Sequence, residues 1–160
     1  MGTSTEKEVE PPVEGVKPVD RMIGEDEEET EQLRRTLLEA KEYLISHQWC
    51  RHILGEYFGA GVGGVFGLFL FHLEPRGDED TWLWVIAGDL PSAYFVVDDS
   101  NSPREAMTTY DQLMRDWIGA IRDGRSLDEC FPVDVSPDAQ HAAMLETRLN
   151  FLRDRVLPQL

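Results

Sequence analysis

Basic residues are scarce in this chain. Lysine and arginine number 15 against 31 aspartates and glutamates, which leaves a formal charge of −16 over 160 residues. That deficit argues against a nucleic-acid binder, because a phosphate backbone attracts cations and repels such a surface. It argues equally against docking on an anionic membrane. Cysteine is scarcer still: Cys50 and Cys130 alone cannot build a disulfide scaffold, and there is no C-x-x-C. A secretory signal needs a basic start and an apolar run, and the polar, acidic residues 1–10 supply neither. Met1-Gly2 opens like a myristoylation signal, but Glu6 stands where serine or threonine is required. The longest apolar stretch, residues 59–73, is too short and too rich in glycine to cross a bilayer. These absences point to a cytoplasmic protein whose two thiols are free.

What is present divides near residue 30. Residues 1–31 hold eleven acids and three bases, including the run 25–29, and few large apolar side chains. Such a segment buries too little surface to offset its ordering entropy, so residues 1–30 are expected to form a disordered acidic tail. Residues 31–160 are expected to form one domain. No internal repeat is visible.

Within that domain Leu33, Leu37, Ala40 and Leu44 recur at helical spacing, with Thr30 as the cap. A second helix is expected over about residues 47–58, where Trp49, Cys50, Ile53, Tyr57 and Phe58 share a side. A single continuous helix is the alternative. Val65 to Leu73 is apolar at both parities and suits a strand covered on both faces. Thr81 to Ala87 and Ala93 to Asp98 read as two further strands. Short turns between the three imply an antiparallel meander. Ser102, Pro103 and Glu105 supply a cap, a first-turn proline and a capping-box partner. The stripe from Met107 to Ile121 and the stop at Gly124 complete that helix. Phe131 to Val135 is a candidate edge strand, weakened by Pro132. A last helix opens at Ser136-Pro137 and ends at Pro158. The order predicts an α+β fold: a three-stranded antiparallel meander packed with about four helices, two before the sheet and two after it.

Few residues converge in the sequence on recognisable chemistry. Residues 59–64 match G-x-G-x-x-G, but the dinucleotide fingerprint needs a strand before it and a helix after it, and the expected order here is the reverse. The glycines more simply allow a sharp turn and close packing. His47 and Cys50 can share a helix face, whereas His52 points away, so this stretch cannot supply three ligands to one metal. No metal and no cofactor is therefore expected. Asp89 lies in the turn between the second and third strands, and Asp98 and Asp99 lie at the far end of the third. A six-residue strand separates them by roughly 20 Å. A carboxylate pair working on one bond needs about 5–9 Å. The turn Asp78-Glu79-Asp80 falls at the same end as Asp98 and Asp99, which predicts an acidic rim. Its plain reading is a solvated loop; its functional reading is a surface for a cation or a basic partner. Trp82 and Trp84 share one sheet face with Ile86, while Leu83, Val85 and Ala87 share the other. If helices cover both faces the tryptophans are core, the favoured reading. If helices cover one face, the tryptophans are an interface patch.

The run Trp84-Val-Ile-Ala-Gly-Asp-Leu-Pro91, followed by residues 93–99, resembles a family of small uncharacterised bacterial proteins. The likeness starts near Trp49-Cys50 and continues through Trp117, Gly124-Arg-Ser126 and Arg148-Leu-Asn-Phe151. It implies a compact domain over about residues 35–157 and transfers no site. In size, charge and class the chain also resembles, more loosely, the acidic immunity proteins that neutralise bacterial toxins.

The expectation is a non-enzymatic protein-binding module, of the immunity or inhibitor type, that binds a basic protein partner. Its contacts would be Asp78, Glu79, Asp80, Asp98 and Asp99, with Trp82 and Trp84 if they are exposed. One alternative is an enzyme using Cys50 with His47, or Asp89 beside the Pro91 turn. Another is an adaptor that acts through its acidic tail. The first expectation rests on no reactive side chains converging. Asp89 or Cys50 lining a deep cavity, with a basic or histidine neighbour in hydrogen-bond contact, would overturn it.

Overall fold

The computed structural model describes residues 10–50, 52–76, 79–98 and 100–160, with the backbone alone at 75, 76, 79 and 80. Five strands form one antiparallel sheet in the order in which they occur in the chain: β1 (Lys17–Pro18), β2 (Ile53–Val62), β3 (Phe66–Arg76), β4 (Glu79–Gly88) and β5 (Ala93–Val96). Helix α1 (Glu27–Ile45) lies between β1 and β2 in the chain. Helices α2 (Pro103–Asp123) and α3 (Ala139–Phe151) follow the sheet. The α+β class and the antiparallel meander stand, but with five strands and three helices rather than three and four.

The sheet is covered on both faces. Phe69, Phe71, Leu73, Leu83, Val85 and Ala87 pack with Leu33, Ala40 and Leu44 of α1. Phe66, Leu68, Leu70, Trp82, Trp84 and Ile86 pack with α2 and α3 through Met107, Tyr110, Met114, Trp117, Leu145 and Leu149. This explains why β3 is apolar at both parities: alternate residues enter different cores.

Helix α2 follows its sequence signals closely. The Ser102 hydroxyl accepts from the Glu105 N–H at 3.2 Å, and Gly124 takes the left-handed conformation at φ 66°. Helix α1 starts earlier than expected. Asp26, not Thr30, is its cap, accepting from the Glu29 N–H at 2.8 Å. Thr30 instead accepts from the Gly24 N–H. The last helix is capped by Asp138 and continues beyond Phe151 as a π turn over Leu152–Val156.

Three expectations are corrected. The helix expected over 47–58 is largely strand β2, which pairs with β3 from Ile53↔Leu73 to Val62↔Phe66. Its side chains divide between the two cores, Tyr57 with one and Ile53 and Phe58 with the other, so neither period stands out. Gly61 faces α1 so closely that a Cβ there would lie 2.8 Å from Leu33 Cδ2 and would push that side chain aside. The G-x-G-x-x-G string therefore spans the β2–β3 hairpin. Residues 131–135 form no strand. Of the segment expected as a tail, residues 1–9 lie outside the described residues, and the remainder packs on the domain. Lys17 and Pro18 pair with Phe58 and Tyr57, Val13 and Val16 meet the α2–α3 core, and Met22 is buried beside α1.

Among the described residues no helix is long and apolar enough to cross a membrane.

Candidate functional site

The short link between β4 and β5 is held from three sides. Gly88 sits at φ 131°, where a Cβ would lie 2.5 Å from the Val65 carbonyl oxygen, so only glycine fits. The Asp89 N–H then donates to that same carbonyl at 2.7 Å. From α2, the buried Tyr110 hydroxyl donates to the Pro91 carbonyl at 2.7 Å, and burial pushes that phenol's pKa up. From α3, Arg148 forks onto Asp89, with Nη2 to Oδ2 at 2.8 Å and Nε to the backbone oxygen at 3.1 Å. Backbone strain is confined to glycine, and each polar group that holds the turn is satisfied.

This turn forms one wall of a cleft of about 430 Å³. Tyr43 of α1 contributes from one helical layer, and His141, Met144, Leu145 and Arg148 of α3 contribute from the other. Asp134 and Val135 close a further side. Because its walls come from both layers, the cleft lies at the margin of the sheet, beside edge strand β5.

Its polar groups are set by their neighbours. The Asp138 carboxylate accepts from both the backbone N–H and Nδ1 of His141, at 2.8 and 2.7 Å. Those two hydrogen bonds hold Asp138 below the usual aspartate range. Desolvation, with help from Tyr94 and Asp134, pushes the Tyr43 phenol up to about 12. Tyr43 is also fixed in place: the His47 ring meets it edge-on at 5.0 Å, and His47 Nδ1 donates to the Tyr43 carbonyl at 2.9 Å. Trp49 and Tyr94 extend this aromatic group, each ring 5.0–5.4 Å from His47.

The charge of the lining does not balance. Two carboxylates, Asp89 and Asp134, face one guanidinium, Arg148, so one negative charge is left uncompensated beside apolar Met144 and Val135. A lining of that kind accepts a cation attached to an apolar stem.

The expected contact residues fare differently. Trp84 is 0% exposed, and its indole N–H donates to the Ser100 carbonyl at 2.9 Å. Trp82 is 7% exposed and stacks on His72 at 4.3 Å. Both belong to the α2–α3 core, as the favoured reading held, and neither offers a surface to a partner. Asp98 is exposed, at the end of β5 that faces the start of β4, where Glu79 and Asp80 stand. The side chains of Glu79 and Asp80, and the residues Asp78 and Asp99, lie outside what is described. Burial pushes the Cys50 thiol up, away from the thiolate a nucleophile needs. Among the described residues no group of three or more His, Cys, Asp and Glu could hold a metal ion.

The premise that nothing converges is weakened but not overturned, because the cleft is open and the Asp89 side chain in it is 65% exposed. Asp89 lines a cleft in hydrogen-bond contact with Arg148, and Tyr43, Asp134 and His141 share it. Arg148 lies 59 residues from Asp89, and no spacing in the sequence links them. The one legible clue is Asp138 three residues before His141 at a helix start, a capping pattern with a histidine partner. No family model, curated protein or solved structure matches this chain.

Proposed function

We propose that the protein is a binding module for a basic protein partner, of the immunity or inhibitor kind, and that the cleft at the β4–β5 turn is its contact site. One observation carries this reading: the uncompensated negative charge of the Asp89–Asp134–Arg148 lining, on a chain of net charge −16. A surface of that sign speeds the encounter with a cationic protein, and a preformed turn lowers the ordering cost of contact. The exposed side chains of Met144 and Val135 supply apolar contact beside the charges.

Capture from the source cell at low salt tests it, with wild-type protein compared against Asp134→Asn combined with Met144→Asp. The expected result is a basic protein retained by the wild type, lost from the double variant and released by raised salt. An acidic partner, or retention unaffected by the variant and by salt, overturns the reading.

A second reading is favoured by the Asp138–His141 pair, which fixes Nδ1 as the protonated nitrogen and leaves Nε2 able to accept a proton. In that case the cleft would house an acid–base enzyme. His141→Gln separates the two: it would abolish turnover and leave partner capture intact.

A further inference from the structure

The charge balance and the aromatic wall of the cleft together specify more than a cation. We infer that the cleft takes a single arginine side chain of the partner, its guanidinium lying against the Tyr43 ring and paired with Asp134. This rests on the proposed binding function and names the group recognised.

Three features support it. The lining lacks one positive charge, so one cation balances it and a second would meet Arg148 unopposed. Tyr43 is half-buried, lines the cleft and is braced by the mutually packed His47 and Tyr94 rings, so it meets a ligand with little further loss of side-chain entropy. Its phenol is neutral near pH 7, as an ordinary tyrosine is, so it acts as an aromatic surface and adds no negative charge. Between the two basic side chains, a planar and weakly hydrated guanidinium stacks on an aromatic face and forks onto a carboxylate, whereas an ammonium is compact and strongly hydrated. The cleft is partly apolar, through Leu90, Pro91 and Met144, so stripping water from an ammonium there costs more than from a guanidinium.

The probes are three blocked pentapeptides, alike except for a central arginine, lysine or citrulline. Citrulline keeps the planar shape and lacks the charge. Binding to the full-length protein is followed through the backbone amide resonances of Gly88, Asp89, Leu90 and Ser92 at low salt. The arginine peptide should bind about tenfold more tightly than the lysine peptide, and the citrulline peptide should not bind. Asp134→Asn should weaken the arginine peptide by about tenfold. Tyr43→Leu should erase the arginine preference, while Tyr43→Phe keeps the ring and should retain it. If Tyr43→Leu fails to fold, the Tyr43→Phe and Asp134→Asn results decide. Equal affinity for arginine and lysine overturns the guanidinium assignment and leaves the basic-partner reading intact. Citrulline binding as well as arginine overturns both. If no peptide binds, the arginine assignment fails, and the capture experiment alone then judges the wider reading.

Discussion

Strand β4 turns two faces to two different layers. Leu83, Val85 and Ala87 meet a single helix, α1, and are aliphatic and of modest size. Trp82, Trp84 and Ile86 meet two helices, α2 and α3, and two of the three are the largest side chains available. The α1 layer draws its buried aromatic bulk from β3, through Phe69 and Phe71, whereas the α2–α3 layer draws much of its own from β4, through the two tryptophans. The tryptophan side also carries a polar demand that the aliphatic side lacks. The Trp84 indole N–H is met by the Ser100 carbonyl, which fixes the loop between β5 and α2. The cleft opens where these unequal layers both reach the β5 margin, and it takes residues from each.

The comparison can be tested by removing one side chain from each layer. Trp84→Ala should have the largest effect, about 3–5 kcal/mol, measured by chemical denaturation. A cost below about 1 kcal/mol would mean that the α2–α3 layer does not close over the sheet. Met22→Ala acts on the α1 layer and should cost about 2–5 kcal/mol, toward the low end because the residue sits near the start of the helix. No loss of stability there would detach residues 10–26 from the domain.

A smaller effect concerns Tyr43, where the α1 layer meets the cleft. Its phenol titrates higher when folded, up to about 12 against an ordinary value of 10.0. Its contribution to stability is therefore complete below pH 10.0 and is lost as the pH rises toward 12. Phenolate absorbance of the wild type and of Tyr43→Phe should differ by one tyrosine that ionises late and together with alkaline unfolding, the late Tyr110 being common to both. Ionisation of that residue near its ordinary value, with the fold intact, would place it outside the aromatic group.

Much of the architecture was legible because local signals agreed with the tertiary environment. Helix α2 has a capping serine, a first-turn proline, one apolar stripe and a terminal glycine, and the structure uses each of them. Strand β2 was not legible. Ile53, Tyr57 and Phe58 fit a helical spacing as well as a strand, since the strand sends residues into both cores. The acidic composition of residues 10–30 concealed Met22 and Asp26, a buried side chain and a helix cap, whose value depends on α1 and the sheet lying beside them. Asp89 was legible as a turn residue, but its partners were not.

By itself the sequence determined what near neighbours along the chain decide: the caps and length of α2, the apolar runs of β3 and β4, the turns between strands, and a strongly negative net charge. These follow from backbone preference, side-chain period and the sum of charge. Only the tertiary structure decided that helices cover both faces of the sheet and bury the tryptophans. It alone brought Tyr43, Asp89, Asp134, His141 and Arg148 to one cleft, because packing sets contacts between residues that loop length keeps far apart in sequence.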